Sequence, residues 1–383
     1  MEKLKITALK ACQMRDTGQT LVKVETNQGI TGYGEAGGPG PMTRGFLKYY
    51  EETLLGQDPL EVDKLYQYLM NYQHANRGHI PTTSGVDIAL WDIVGKVYNK
   101  PISKVYRGQF REWIPMYVNN NGPDNWLDKA ACRDWAAKVL AHPYGFKAIK
   151  VCKYPVYQNV LHKSFSYPSR RFETILPADM RIIIQGYENL REALDPSIDI
   201  IVHCHNEFDL PSMLQFARDL ESIKPLWLED PLPALYHESW KTLKQVSRIP
   251  LNTGEKLEGP WEFFPFMINQ AIDMMQPDLV FAGGYSGCWR IADMAEHFSI
   301  PITMHNVGNV LQNAMTAQFA ASTRNFVMTE TNFGMGPVHE ENIMEKLEIK
   351  DGMLKVPDGP GIGVTPNEAA IKENRMPGEP YWD

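Results

Sequence analysis

The chain has 383 residues, 43% of them hydrophobic and 22% charged, which suits one large domain plus a smaller one around a sizeable core. A formal net charge of −8 argues against a nucleic-acid partner, which needs a clustered basic surface, but allows a small acidic substrate in a local cationic pocket. No apolar run approaches the ~20 residues of a membrane span, residues 1–5 lack the apolar stretch of a signal peptide, and five dispersed cysteines (Cys12, Cys132, Cys152, Cys204, Cys288) read as reduced thiols, so a cytoplasmic protein without a membrane partner is expected.

Residues 21–26 and 30–35 alternate in polarity around the turn Asn27-Gln28-Gly29, which predicts an antiparallel hairpin. A Gly/Pro-rich loop at 37–41 precedes segments of helical period. The clearest spans 83–97, with Thr83 or Ser84 as cap and Val86, Leu90, Ile93 and Val97 as one stripe. Strands followed by helices suggest an α+β unit over residues 1–112. Beyond it the pattern changes. Short apolar runs at 115–118, 147–151, 198–202, 226–228, 250–253, 272–276, 302–304 and 326–328 are each followed by a helical pattern. Eight such runs fit a parallel (β/α) barrel over 113–335. The longer gap between Val151 and Ile198 holds an insertion whose most polar part is 167–171; a lid, an oligomer contact or a plain surface loop would each fit. Residues 336–383, rich in Gly and Pro, are expected to return to the N-terminal unit.

Barrel chemistry sits at the C-terminal ends of the strands. Read at those ends, the sequence offers His203, Glu229, Glu255, Asp278, His305 and Glu330 in succession. So many acidic groups at one mouth would repel without a cation. His203, Glu229 and Glu255 stand 26 residues apart, one βα unit each time, and make a plausible three-ligand metal set.

These residues, with Gly32-Tyr33-Gly34-Glu35, the 84–92 helix, Gly145-Phe146-Lys147-Ala148-Ile149-Lys150, Glu229-Asp230-Pro231-Leu232, Gln276-Pro277-Asp278-Leu279 and Gly283-Gly284, resemble in order and spacing the mandelate racemase branch of the enolase superfamily, and within it the galactonate and mannonate (sugar-acid) dehydratases. The resemblance implies a modified TIM barrel under an N-terminal α+β capping domain completed by the C-terminal segment. It implies Mg²⁺ on Glu229 and Glu255, an Asp278–His305 acid/base dyad, and Lys150 on the lysine strand. It also implies Glu330 sharing a proton with a substrate carboxylate, His205 as a further acid/base, and a homo-oligomer acting on a small-molecule carboxylate. The shared step would be removal of the α-proton to give an enediolate. Substrate choice would fall to loops near 14–18 and 37–46, with His74, Arg77 and His79.

Two departures qualify this. The family's first metal ligand is an aspartate, whereas His203 stands here; a His-Glu-Glu set suits Mn²⁺, Fe²⁺ or Zn²⁺ better than Mg²⁺. The family's Lys-x-Lys is also incomplete: Cys152 replaces the second lysine, and Lys153 is one step out of phase. Cys152 reads as a packed thiol. Loss of a second base weakens racemisation more than one-base dehydration. The expectation is a sugar-acid dehydratase forming a 2-keto-3-deoxy acid. An epimerase, racemase or cycloisomerase, or a degenerate binding protein with a weakened metal site, are the alternatives.

Overall fold

A computed structural model describes residues 3–71, 77–120, 122–152, 156–161, 174–332 and 339–382. The alternating N-terminal sequence forms a three-stranded antiparallel sheet: β1 (Ile6–Gln13), β2 (Thr20–Thr26) and β3 (Thr31–Ala36). Three helices follow, α1 (Gly40–Leu54), α2 (Val62–Met70) and α3 (Ile80–Val97). Nearly every side chain of α3 is buried, because the helix lies between this sheet and the barrel. Close approach to β3 explains two glycines. A Cβ on Gly32 would sit 2.0 Å from the Ala89 carbonyl oxygen, and one on Gly34 equally close to that of Gly85.

The expected cap of α3 is corrected. The helix begins at Ile80, with Pro81 in its first turn, where a missing N–H is harmless. Thr83 and Ser84 lie inside it. The Thr83 hydroxyl meets that of Tyr50 at 2.8 Å, and Ser84 Oγ donates to the Ile80 carbonyl at 2.9 Å. Val97, expected in the buried stripe, is 37% exposed.

After α4 (Ile102–Val105) the barrel begins. Its strands and helices are β4 (Trp113–Asn119), α5 (Lys129–Leu140), β5 (Ala148–Cys152), α6 (Pro177–Ala193), β6 (Asp199–His203), α7 (Leu210–Asp219), β7 (Leu228–Glu229), α8 (Glu238–Val246), β8 (Leu251–Thr253), α9 (Pro260–Ile268), β9 (Met274–Met275), α10 (Gly284–His297), β10 (Ile302–Met304), α11 (Val310–Ala321) and β11 (Phe326–Thr331). All eight predicted runs are strands. Each pairs in parallel with the next, and β11 closes the ring on β4 with Glu330 opposite Tyr117. The 167–171 segment, with Lys153 and His74, lies outside the described residues.

The chain then returns. A hairpin of β12 (Ile349–Lys350) and β13 (Met353–Lys355) adds antiparallel to β4. Helix α12 (Glu368–Asn374) docks on the N-terminal sheet, where Glu368 receives Lys23 Nζ at 2.8 Å and the Tyr33 hydroxyl at 2.5 Å. Buried Asp92 of α3 joins both parts, accepting from Tyr33 N and Ile362 N, each at 2.9 Å. Among the described residues no helix is long and apolar enough to cross a membrane.

Candidate metal and proton-transfer site

Short parallel strands end where the chain must turn outward, so consecutive strand ends aim their last side chains at one axis. Here β5 supplies Lys150, β6 His203, β7 Glu229 and β11 Glu330, while His305 directly follows β10 and Glu255 and Asp278 lie in the loops just past β8 and β9. Gly254, before Glu255, has φ +149°, and a Cβ there would meet the Gln276 carbonyl at 2.7 Å. All of the strand-end residues expected from the sequence meet at this mouth.

Lys150 is the central cation. Its Nζ lies 2.8 Å from Glu229 Oε1 and 2.5 Å from Glu330 Oε1, with all three side chains almost fully buried. Burial opposes its charge, but Glu229, Glu330 and Glu255 raise its pKa. In turn, although burial pushes the Glu229 carboxyl upward, Lys150, His203 and His305 together outweigh it and hold Glu229 below the usual carboxylate range. Glu330 goes the other way, raised by burial despite Lys150. Glu229 also accepts from the Trp227 indole at 3.2 Å.

A second group lies beside it. His203 Nε2 stands 3.7 Å from Glu229 Oε1, 3.8 Å from Asp230 Oδ2 and 3.4 Å from Glu255 Oε2. These gaps exceed a good hydrogen bond. They suit atoms that each sit about 2.1 Å from one shared ion. His203 Nε2, Asp230 Oδ2 and Glu255 Oε2 are buried without a hydrogen-bond partner. Burial, then Lys150, lowers His203 to about 3, which leaves the neutral imidazole that a metal requires. The donors therefore fit a divalent ion.

Opposite, His305 Nδ1 meets Asp278 Oδ2 at 2.7 Å. Asp278 is fixed in turn by Gln312 Nε2 at 2.8 Å and Val280 N at 2.9 Å. His305 Nε2 faces Glu255 Oε2 at 3.4 Å and Glu330 Oε2 at 3.8 Å. Burial would lower its pKa, but Glu330, Glu255 and Asp278 prevail and raise it to about 10. A cation among those carboxylates would offset this pull and return the ring toward a base.

His205 reaches the same side as His203, though not by strand alternation. The strand ends at His203, and His205 takes a left-handed backbone with φ 57°. Cys152 is buried, its Sγ 3.4 Å from His205 Nδ1. Asp209 is used as the α7 cap, accepting from Ser212 N at 2.8 Å. Three further residues take part, among them Lys256, whose Nζ donates to the His205 carbonyl at 2.6 Å. Asp230 and Lys256 adjoin recognised acids, a signal available in principle; Gln312, on α11, gives none. Of the capping-side positions, His79 is buried against Phe46, with ring centroids 6.2 Å apart, and Gly37 N donates to the Val280 carbonyl at 3.1 Å.

Residues 132–370 match the family described as enolase C-terminal domain-like, and residues 7–106 match the mandelate racemase / muconate lactonizing enzyme N-terminal domain. The chain belongs to the enolase superfamily, in its mandelate racemase subgroup. This superfamily member is 28% identical to a D-xylonate dehydratase of Haloferax volcanii, across 95% of this chain and 87% of that one. It is also 28% identical to a D-galactarolactone cycloisomerase of Agrobacterium fabrum, across 93% and 91%. A mandelate racemase/muconate lactonizing enzyme-like protein from Rubrobacter xylanophilus superposes with TM-score 0.90 at 26% identity, over 100% of both chains.

Proposed function

We propose that the enzyme dehydrates a sugar acid, an aldonate or aldarate, to a 2-keto-3-deoxy acid. The observation that carries this reading is the His305–Asp278 pair, whose Nε2 faces the carboxylate-rich centre while Lys150 stands across it. Similarity to a D-xylonate dehydratase supports the reaction class. His203, Glu229 and Glu255 would hold the ion, which the family resemblance makes Mg²⁺ and the histidine opens to Mn²⁺ or another divalent metal. Once bound, the ion supplies positive charge beside the substrate carboxylate.

The chain's own groups do the rest. With Nδ1 donating to Asp278, His305 presents a basic Nε2 that takes the proton from the carbon next to the carboxylate. The released electron pair moves toward the carboxylate, where Glu330, its pKa raised by burial, shares a proton with an oxygen. Lys150 keeps Glu229 ionised and adds charge near the same oxygens. His305 then returns its proton to the hydroxyl on the next carbon, which leaves as water. The resulting enol takes a proton from solvent at that carbon and becomes the keto acid. His205, a second acid/base candidate in the sequence reading, stands close to the ion-binding atoms.

The enzyme would act on a free acid as a cytoplasmic homo-oligomer. Incubation with a panel of aldonates and aldarates, with Mg²⁺ or Mn²⁺ supplied, should give a product that reacts with a keto-acid reagent. Silence across the panel would end the proposal. Solvent-proton exchange without loss of water would instead favour an epimerase or cycloisomerase.

A further inference from the structure

Asp230, the residue after Glu229, is held in a backbone conformation that its surroundings in the chain disfavour. Its φ of 51° is left-handed, and the ring of Pro231 restricts it further. A conformation of this kind persists where surrounding bonds enforce it, and it is found where a side chain must be aimed. Three such bonds are present. Asp230 N donates to the Asn252 carbonyl at 2.9 Å, the Asp230 carbonyl accepts from Asn206 N at 2.7 Å, and Oδ1 accepts from the Thr253 hydroxyl at 2.6 Å. Only Oδ2 is left over. It belongs to a residue 1% exposed, and it has no hydrogen-bond partner.

The free oxygen is turned toward the group around His203. From His203 Nε2, Glu255 Oε2 lies at 3.4 Å, Glu229 Oε1 at 3.7 Å and Asp230 Oδ2 at 3.8 Å. Two ligands of one four-coordinate ion with bonds of about 2.1 Å stand about 3.4 Å apart, so a closure of roughly 0.4 Å at most brings each oxygen to that separation.

We propose that Asp230 is a fourth ligand of the divalent ion, its Oδ2 supplying the third carboxylate that a neutral His203 does not. The inference rests on the reading that this mouth binds an ion. Glu229 and Glu255 alone would bring two negative charges to the centre, and Glu229 Oε1 already faces Lys150 Nζ at 2.8 Å. Asp230 restores charge on the side away from that lysine. Its bond to Thr253 needs one oxygen only. Keeping the second oxygen dry and unpaired, beside an equally unpaired Glu255 Oε2, is a cost that a cation between them removes.

Crystals of chelator-stripped protein soaked in Mn²⁺ would locate the ion by its anomalous scattering, and calorimetric titration of the same protein would give its affinity. Asp230 Oδ2 should stand ~2.0–2.3 Å from Mn²⁺, as a bonded oxygen does, together with His203, Glu229 and Glu255. Asp230→Asn, which keeps the shape and the Oδ1 acceptor, should weaken Mn²⁺ binding by ~100-fold or more. Thr253→Val, which loosens the carboxylate without removing its charge, should weaken it by ~10-fold or less. An ion held by the other three residues with Asp230 Oδ2 more than ~3 Å away, or Asp230→Asn binding Mn²⁺ as tightly as wild type, would overturn the inference while leaving the ion-binding reading intact. Failure of the wild type to take up any ion would overturn that reading itself. The wild-type crystal decides the matter even if Asp230→Asn does not fold.

Discussion

His305 is bound through Nδ1 to Asp278, 2.7 Å away, and Asp278 is itself held by Gln312 and the Val280 backbone. The imidazole thus has one orientation and one tautomer, with Nε2 turned to the centre of the barrel. Asp278→Asn would keep the shape but weaken the ring as a base. We expect kcat to fall by ~10²–10⁴, the usual weight of a positioned acid–base group, with KM changed only a few-fold. Steady-state kinetics on the best substrate of the aldonate panel checks it; an unchanged kcat would remove the dyad from the reaction.

Lys150 is the cation among buried carboxylates. Its replacement by methionine would strand the charge of Glu229 and lower stability by ~3–5 kcal/mol, as removal of one partner from a buried pair does. Urea denaturation without metal should show the full loss. Saturating Mn²⁺ should restore part of it, because an ion that binds only the folded state adds ~2.7 kcal/mol at a hundredfold excess over Kd. Equal stability of the two proteins without metal would contradict this picture.

Asp87, buried in α3, gives a pH signature of its own. Burial raises its carboxyl to about 7, against the backbone N–H of Ser286 at 2.9 Å. A raised acid makes the folded state bind more protons than the unfolded one, so stability is full below pH ~4 and declines as pH climbs to about 7. Asp87→Asn should lack that decline. Unfolding free energies at pH 4, 5.5 and 7 would show the two proteins diverging; parallel curves would refute it.

Glu368 behaves oppositely. Burial pushes its carboxyl up, but Lys23, Tyr33, Tyr381 and Trp382 outweigh it and hold it at about 2. Its contribution is present above pH ~4.5 and fades as pH falls toward 2. The stability gap between wild type and Glu368→Gln should therefore shrink on acidification, as measured by chemical denaturation between pH 6 and 3. A gap independent of pH would mean the ion pair does not fasten the C-terminal helix to the sheet.

The barrel was readable because each strand is a short apolar run in a repeating unit, and the site because a strand's last residue faces the axis. His203 and Glu229 end their strands, Glu330 is next to last in its own, and Glu255, Asp278 and His305 stand one to three residues past theirs, so reading the strand ends and the residues just beyond finds all six. What escaped depends on tertiary detail. Pro81 moved the start of α3 ahead of Thr83, since proline suits a first turn better than those hydroxyls suit a cap. The left-handed turn that sets His205 beside His203 leaves no trace in polarity. Gln312 reaches Asp278 from α11, 34 residues along the chain, and Glu368 meets Tyr33 across 335; no local pattern records either.

The seam where β11 meets β4 has a temporal meaning. Glu330 takes its place only when that last staple is made, opposite Tyr117 and against Lys150. Until then Lys150 has only part of its counter-charge, and His305 lacks one of its neighbours. An emerging polypeptide would carry the components in the correct order and still be inert, so activity itself reports completion of the ring.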